Sequence, residues 1–168
     1  DSVVTDEAQL AGLPESARAA AKAEAEAKEV EGWRFTLQEP SLVAVMTYLD
    51  DRSIREQVWR AYNTRASSGE LDNAGLIRKI LDLRAERAAL LGYDDFADLV
   101  LEDRMAKTGT QAAEFVADLE ARSRAAFERE TAALDAFRKE QDAEAHGGLQ
   151  PWDIGYWSEK QRLSLIHI

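Results

Sequence analysis

The feature that most constrains the fold is a long polar segment, residues 110–145, in which apolar residues recur at helical spacing. Charged residues occupy the remaining faces, and His146-Gly147-Gly148 is a stop signal. One unbroken helix over this segment would be roughly 54 Å long at 1.5 Å per residue, and it needs neighbours along its length. The apolar stripe consists of Val116, Leu119, Phe127, Leu134 and Phe137. The pattern therefore predicts an all-α array of amphipathic helices.

The first part of the chain combines two helices with one extended segment. Pro14 and Glu15 begin an alanine-rich run that predicts a helix over residues 14–30. Residues 33–37 alternate large apolar with polar side chains and form the only good strand candidate. A short helix is predicted over residues 41–49. No sizeable sheet is therefore expected.

The next helix is predicted to begin at Asp51, whose carboxylate suits an N-cap. Ile54, Val58 and Tyr62 fall on one face of it at a spacing of four residues, which predicts a buried stripe. Trp59 belongs to the same aromatic-rich helix. Three arginines are expected at the rim of the stripe, paired with nearby acids: Arg55, Arg60 and Arg65. The simplest interpretation of these residues is structural.

A further helix is predicted between Asn73, as its cap, and Gly92, as its stop, with a short helix from Asp94. Apolar residues recur within it at three and four positions: Ile77, Ile80, Leu81, Leu83, Ala88 and Leu91. Counted along the chain, the predicted helices number five to seven. No repeat of fixed period interrupts this organisation.

Charge and composition narrow the classes of partner. The 168 residues carry 21 Lys and Arg against 32 Asp and Glu, a formal net charge of −11, which disfavours nucleic acid and anionic membranes. No cysteine is present, so disulfides and cysteine metal sites are excluded. No apolar run approaches the roughly 20 residues needed to span a bilayer. These features predict a soluble, cytoplasmic protein.

Candidate catalytic and metal-binding residues are few. The two histidines, His146 and His167, do not form an HExxH, ExxH or HxH pattern, so neither is predicted to be a metal ligand. Carboxylates are plentiful but scattered, which is typical of solvated helix faces: Glu24, Glu26, Glu29, Glu31, Asp94, Asp95 and Asp98. The sequence therefore predicts no catalytic, cofactor-binding or metal-binding residue in this chain.

The segment PWDIGYWSEKQ, residues 151–161, is the most specific stretch. A helix-starting proline and an adjacent acid are crowded together with Trp152, Tyr156 and Trp157. Three aromatic residues in six positions predict a packed junction between two bodies. We expect the domain to extend over residues 1–163. The last six residues, LSLIHI from Leu163, match a translated sequencing adapter, so residues 164–168 are expected to be a non-native tail.

Four blocks of the sequence resemble the M3 family of zinc metallopeptidases, the thimet oligopeptidase and oligopeptidase A group. The blocks are LPESARAAAKAEAEAKEVEGWRFTL, PSLVAVMTYLDDRSIREQVWRAYNTRAS, ILDLRAERAALLGYDDFADLVLEDRMA and LQPWDIGYWSEKQ. The resemblance runs from about residue 12 to residue 163 and departs near residues 66–73, where the loop is shorter than the family pattern. It implies that the chain is an internal fragment of a larger, two-lobed helical enzyme.

The resemblance also implies what the parent protein does. M3 peptidases admit short peptides to a deep channel, where one zinc ion is held by two histidines of an HExxH helix and a glutamate from a following helix. All three ligands are expected downstream of residue 163, so this chain should bind no zinc and be inactive alone. It would expose apolar surface around Phe127, Leu134, Phe137 and the aromatic segment, and would self-associate. The alternative is a free-standing acidic helical interaction module.

Overall fold

The computed structural model describes residues 2–142 and 147–166. Within them it contains seven α-helices and one two-stranded sheet, which confirms the all-α prediction. The elements in chain order are β1 (Ser2–Val4), α1 (Glu15–Glu26), β2 (Trp33–Phe35), α2 (Glu39–Tyr48), α3 (Arg52–Asn63), α4 (Ala74–Leu90), α5 (Phe96–Leu101), α6 (Gly109–Gln141) and α7 (Pro151–Leu165). Residues up to Arg65 and from Ala132 onward form a first compact unit, and Ala66–Thr131 form a second.

The small sheet lies in the first unit. β1 pairs antiparallel with β2, so that Ser2 lies opposite Phe35 and Val4 opposite Trp33. The strand predicted over residues 33–37 is present as Trp33–Phe35, whereas its partner β1 was not predicted. Three residues are too few to show an alternating pattern, so β1 is defined by its pairing rather than by its own sequence.

Helix α1 is shorter than the predicted helix over residues 14–30. It begins at Glu15 and ends at Glu26, because the chain then turns back toward β2. Glu29 adopts a positive φ of 55°, and the N–H of Val30 donates to the Ala25 carbonyl at 3.1 Å. Composition alone does not predict where α1 ends, because alanine and glutamate both favour a helix and neither is a stop signal.

Helix α3 begins as predicted. The Asp51 carboxylate accepts hydrogen bonds from the N–H groups of Ser53 at 2.9 Å and Ile54 at 3.2 Å, which caps the first turn. Ile54 and Val58 are buried in the core, but Tyr62 is exposed. The predicted stripe is therefore buried over its first two positions.

The second unit contains α4, α5 and the first part of α6. Asn73 precedes α4, but its side chain makes no capping bond, and Asp72 accepts from the Ala74 N–H at 2.8 Å instead. Gly92 ends the helix as predicted, with φ of 82° and the N–H of Tyr93 donating to the Ala88 carbonyl. The short helix predicted from Asp94 is α5, which begins at Phe96 and is capped by Asp95.

Helix α6 confirms the long helix predicted over residues 110–145 up to Gln141. Its 33 residues span about 50 Å. The last predicted positions, with Ala145 and the stop at His146, lie outside the described residues. The helix runs through the boundary between the two units, so its residues are considered in each unit separately.

The core lies in the first unit. One buried cluster joins the sheet, α1, α2 and α3, and a second joins α6 to α7 through Leu134, Tyr156 and Trp157. The first cluster comprises Val4, Leu10, Leu13, Ala21, Phe35, Val45, Leu49, Ile54 and Val58. These two clusters hold α7 between α2, α3 and the last turns of α6, and this is where the most specific segment of the sequence lies.

Candidate functional site

The beginning of α7 is built around Asp153. Pro151 occupies the first turn, where its missing N–H costs no hydrogen bond. Asp153 follows two residues later, and its carboxylate accepts a hydrogen bond from the N–H of Gln150 at 3.0 Å. The acid therefore caps its own helix. It is also completely buried, so it requires further partners to remain ionised.

Two arginines from α3 supply those partners. Arg52 donates from Nε and Nη2 to the two carboxylate oxygens of Asp153, each at 2.9 Å, in a bidentate pair. Arg55 donates from Nη2 to Oδ1 at 3.4 Å. The residues are about a hundred positions apart in the chain. This ion pair therefore joins the first turn of α3 to the first turn of α7.

Arg55 connects three segments. Its Nη1 donates to the carbonyls of Leu49 at 2.7 Å and Asp50 at 2.9 Å, where α2 ends. Its Nε donates to the carbonyl of Trp152 at 3.2 Å, beside the contact with Asp153. The side chain is 2% exposed. Arg55 was predicted at the rim of an apolar stripe, and that prediction is wrong, because its hydrogen-bonding partners lie inside the fold.

The electrostatics of the three groups follow from this geometry. Burial acts to raise the pKa of Asp153, but hydrogen bonds from Arg52 and the Gln150 N–H, with the charges of both arginines, outweigh it and lower the pKa. Burial lowers the pKa of Arg55, which the Asp153 charge partly offsets. For Arg52, which is half exposed, the hydrogen bond with Asp153 raises the pKa. Asp153 is held as the ionised acceptor.

Aromatic side chains enclose this ion pair. Trp152 contacts Trp59 with ring centroids 5.5 Å apart, and the guanidinium groups of Arg52 and Arg60 lie 5.4 and 5.0 Å from its centroid. Arg60 also pairs with Glu56, as predicted for a rim arginine. Cation–π contacts of this kind are stronger where water is excluded. The buried Trp152 thus packs on the same α3 surface that supplies the arginines.

Tyr156 lies one turn further along α7. Its hydroxyl donates to Asp50 Oδ1 at 2.8 Å, and the Arg55 guanidinium lies 4.0 Å from its ring centroid. Burial, followed by the hydrogen bond and charge of Asp50, raises its pKa, so the phenol stays protonated.

Trp152, Tyr156 and Trp157 are all buried within the first unit, as is Leu134. The expectation that this chain leaves the aromatic segment and Leu134 exposed is therefore wrong, because these side chains pack on the α2–α3 connection and on one another. That the segment also joins a second body stays a prediction.

The other side of α7 packs on α6 and α2. Trp157 contacts Phe137 edge-on with centroids 6.3 Å apart and belongs to the cluster with Leu134. At Gly155 the helix approaches α2 so closely that an added Cβ would lie 3.2 Å from the Met46 carbonyl oxygen. Any larger residue there requires the two helices to separate. Helix α7 is therefore seated by contacts on several faces.

A second candidate surface is a groove of about 420 Å³ between α1, β2 and α2. Small residues such as Ala17 and Ala20 line it together with Phe35. Arg34 and Glu24 at this groove pair with each other at 2.7 Å. Because Arg34 and Glu24 neutralise each other and the rest of the lining is largely apolar, the groove suits the packing of apolar groups better than acid–base chemistry.

Three of the acids singled out in the sequence have structural contacts: Glu24, Asp95 and Asp98. Glu24 pairs with Arg34, and Asp95 caps α5 through the N–H of Asp98 at 2.9 Å. Asp98 in turn accepts from the N–H of Gly109 at 2.7 Å, at the start of α6. His146 and His167 lie outside the described residues. That the chain has no catalytic residue stays a prediction.

Sequence reasoning missed Arg52 and the roles of Arg55 and Asp153. A signal was available, since Arg52 and Arg55 are three positions apart on the first turn of a capped helix, and Asp153 lies in the first turn of another. Residues so spaced lie on one helix face. Their pairing could not be read from the chain, because nothing local links residue 52 to residue 153.

The described part of the chain offers neither a cluster of metal ligands nor a membrane-crossing helix. Residues 2–142 and 147–166 contain no group of three His, Cys, Asp or Glu side chains that could hold a metal ion. In the same part of the chain, no helix is long and apolar enough to cross a lipid bilayer. The arrangement around Asp153 is a saturated set of hydrogen bonds, which suits it to fixing helices and not to binding an ion.

Comparison with known proteins identifies the class. The family model for peptidase family M3 matches residues 45–168, so the chain belongs to this family. Oligopeptidase A of Escherichia coli (strain K12) is 49% identical over 171 residues, which cover 99% of this chain and 25% of that protein. Oligopeptidase A of Salmonella typhimurium is 48% identical over the same shares, and the E. coli dipeptidyl carboxypeptidase is 32% identical over 95% of this chain and 24% of that protein.

Within the family, the chain is similar to the bacterial oligopeptidases A over almost its whole length. It spans about a quarter of the length of the curated relatives it matches. The organellar oligopeptidase A of Arabidopsis thaliana is 39% identical over 100% of the chain.

Proposed function

We propose that this chain is part of the helical scaffold of an oligopeptidase A-like metalloendopeptidase, and that it is inactive by itself. The observation that supports this most directly is 49% identity to an oligopeptidase A over 99% of the chain. The same alignment covers only 25% of that relative, so most of the parent protein would lie outside these residues. The chain would contribute architecture to the parent and not its reacting groups.

The parent would hydrolyse internal bonds of short peptides. A zinc ion in such an enzyme activates the attacking water, and its ligands would come from an HExxH helix and a further glutamate outside residues 1–168. The described residues do not fit a zinc site, since no suitable group of ligands is found among them. We therefore assign no catalytic step to any side chain of this chain.

The role left for the chain is to support the catalytic region. The first unit packs the sheet, α1, α2 and α3 around one core and seats α7 against it. The second unit exposes apolar side chains that a larger body would cover, among them Leu76, Ile80, Phe115 and Phe127. In the parent we expect these faces to be covered. In the isolated chain we expect them to drive self-association.

The remaining properties follow from the same proposal. Substrates are short peptides bound by the parent, and a net charge of −11 makes nucleic acid and anionic membrane poor partners. We place the parent in the cytoplasm, where peptides released by protein turnover need further cleavage. Residues 164–168 we regard as a non-native tail, which resequencing of the source DNA would test.

The experiment compares the chain with its parent. The reading frame is first extended past residue 163 in the source DNA and searched for HExxH. Hydrolysis of a quenched fluorescent peptide is then measured for both proteins, with and without a chelator. We expect turnover by the parent alone, abolished by the chelator and restored by zinc. Turnover by the homogeneous 168-residue chain, or a parent without HExxH, would show that the proposal is wrong.

A separate measurement tests self-association. Analytical ultracentrifugation of the isolated chain should show oligomers that grow with concentration, because the exposed apolar side chains of the second unit associate. A monodisperse monomer with cooperative melting would instead show that the chain folds without a covering partner. That result would favour the free-standing interaction module.

A further inference from the structure

We infer that Arg52, Arg55 and Asp153 form a positioning lock, which sets the direction of α7 and, through α7, the placement of the catalytic region in the parent enzyme. The inference rests on the proposed function. The three residues are called the lock below. None of them is a catalytic residue, because they would act through the helix they hold.

The contacts of the lock specify one arrangement of α7 against α3. Asp153 receives both arginines and the N–H of Gln150, and Arg55 also reaches the carbonyls of Leu49, Asp50 and Trp152. A guanidinium presents its donors in a rigid planar fork, so a rotation of α7 breaks several of these bonds together. The lock thus defines both the position and the rotation of the first turn of α7.

The energetics of a buried ion pair favour a positioning role for the lock over a stabilising one. Burying charges is costly, and well-packed apolar residues often stabilise a protein as much as a buried ion pair. Breaking such a pair by removing one partner is nonetheless strongly destabilising. A network of this kind is therefore a poor way to gain stability and an effective way to exclude alternative helix packings. Geometry is what the lock supplies beyond an apolar contact.

The length of α7 amplifies a small tilt at its first turn. From Pro151 to Leu163 the helix is about 20 Å long, so a tilt of about 10° at its first turn moves Leu163 by about 3 Å. Misplacement of reacting groups by about 1 Å can lower a rate about 100-fold. The contacts at Gly155, Tyr156 and Trp157 lie in its first two turns, and the third turn adds the half-exposed pair of Lys160 with Asp50 at 3.3 Å. Leu163 and Leu165 near its end are exposed.

The test uses the parent enzyme with Asp153→Asn, an isosteric change that removes the charge. We expect kcat to fall about 10- to 100-fold while KM stays within about two-fold. Asp135→Asn is the matched control, because Asp135 also pairs with a buried arginine, Arg138, but within the single helix α6. Glu159→Gln is a second control on α7 itself, outside the lock. Both controls should keep the wild-type kcat.

A double variant separates positioning from stability. Asp153→Asn with Arg52→Met removes both partners of the bidentate pair and leaves the bonds from Arg55 to the Leu49, Asp50 and Trp152 carbonyls in place. It also removes one of the two positive charges that Asp153→Asn leaves unpaired, so the unfolding midpoint should recover toward wild type relative to Asp153→Asn alone. If the lock positions α7, kcat stays low in the double variant despite this recovery. Recovery of kcat in parallel with stability, or a wild-type kcat for Asp153→Asn, would overturn the inference.

Hydrogen exchange of the 168-residue chain tests the lock without activity. In Asp153→Asn, amides of α7 should exchange at least about 10-fold faster, while amides of α1 and β2 are unchanged. Equal acceleration in α1 and α7, or no change in α7, would contradict a positioning role. A parent inactive in its wild-type form would overturn the proposed function and the catalytic part of this inference. The exchange data would then decide whether the lock directs α7.

Discussion

The two units of the chain have similar helical patterns of apolar residues, but they differ in how many of those apolar side chains are buried. In the first unit the apolar faces of the helices meet one another, and every buried apolar side chain of the described residues except Ala88 lies there. The second unit has similar helical periodicity but exposes most of its large apolar residues. These include Leu76, Ile77, Ile80, Leu81, Leu83, Phe115, Val116, Leu119 and Phe127. The difference teaches that an amphipathic pattern predicts a helix but not the partner that covers it.

Helix α6 displays the difference within one element. Leu134, in the first unit, is 7% exposed and packs with Tyr156 and Trp157. Leu119, in the second unit, is 49% exposed. Most of the stability of a helix comes from packing of its apolar face, so the two parts of α6 should respond differently to the same substitution.

The largest expected effect is at Gly12 in the first unit. Its φ is 86°, and an added Cβ would lie 2.1 Å from the Tyr48 carbonyl oxygen. Gly12→Ala should therefore cost more than about 4 kcal/mol of unfolding free energy or prevent folding. Gly69→Ala in the second unit is the control, because φ is 66° but nothing lies within 4 Å. It should cost about 1 kcal/mol. Urea denaturation measures both, and equal losses would contradict the comparison.

The next effect is the paired truncation within α6. Leu134→Ala should lower the free energy of unfolding by about 2–4 kcal/mol, because it leaves a cavity beside Tyr156 and Trp157. Leu119 is half exposed, so Leu119→Ala should change the free energy of unfolding by about 0.5 kcal/mol or less. Helix propensity changes equally in the two variants, so it cancels. A large loss in Leu119→Ala would mean that the second unit is covered in solution, for example by self-association, which dilution would reveal.

A smaller effect is expected from acid, because protonation leaves the hydrogen-bonding atoms of Asp153 in place. The pKa of Asp153 is lowered in the folded chain, so the unfolded state binds more protons as the pH falls. The resulting stabilisation is present above the unfolded value of about 3.9 and is lost as the pH falls through the folded value. Unfolding midpoints between about pH 5 and about pH 2 should fall less steeply for Asp153→Asn than for wild type. If the unfolding midpoints of the two proteins fall equally steeply with pH, the titration of Asp153 does not contribute to the acid sensitivity.

The smallest effect is expected at the exposed pair Asp118 and Arg122 on α6. Asp118→Ala should change the free energy of unfolding by about 0.5 kcal/mol or less, since exposed pairs four residues apart contribute little. Urea denaturation at low and high salt should give nearly the same change. A loss above about 1 kcal/mol would place Asp118 in a buried contact of the second unit.

Much of the local structure was predictable from particular residues. Asp51 before an apolar-periodic run predicts the start of α3, and Gly92 predicts the end of α4, because a cap and a left-handed stop act over a few residues. The long helix and the extended segment at Trp33 follow from periodicity in the same way. The end of α1 was misplaced, because that turn serves the pairing of β2 with β1.

The sequence by itself determined the helical class, the positions of most helices and the likeness to peptidase family M3, because these depend on neighbours in the chain and on matching blocks. Only the tertiary structure decided which apolar faces are covered, that β2 finds its partner in Ser2–Val4, and that Arg55 is buried and not at a rim. The pairing of Arg52 with Asp153 belongs to this second group. Its partners are about a hundred residues apart, so it depends on the packing of α3 against α7, which no local pattern encodes.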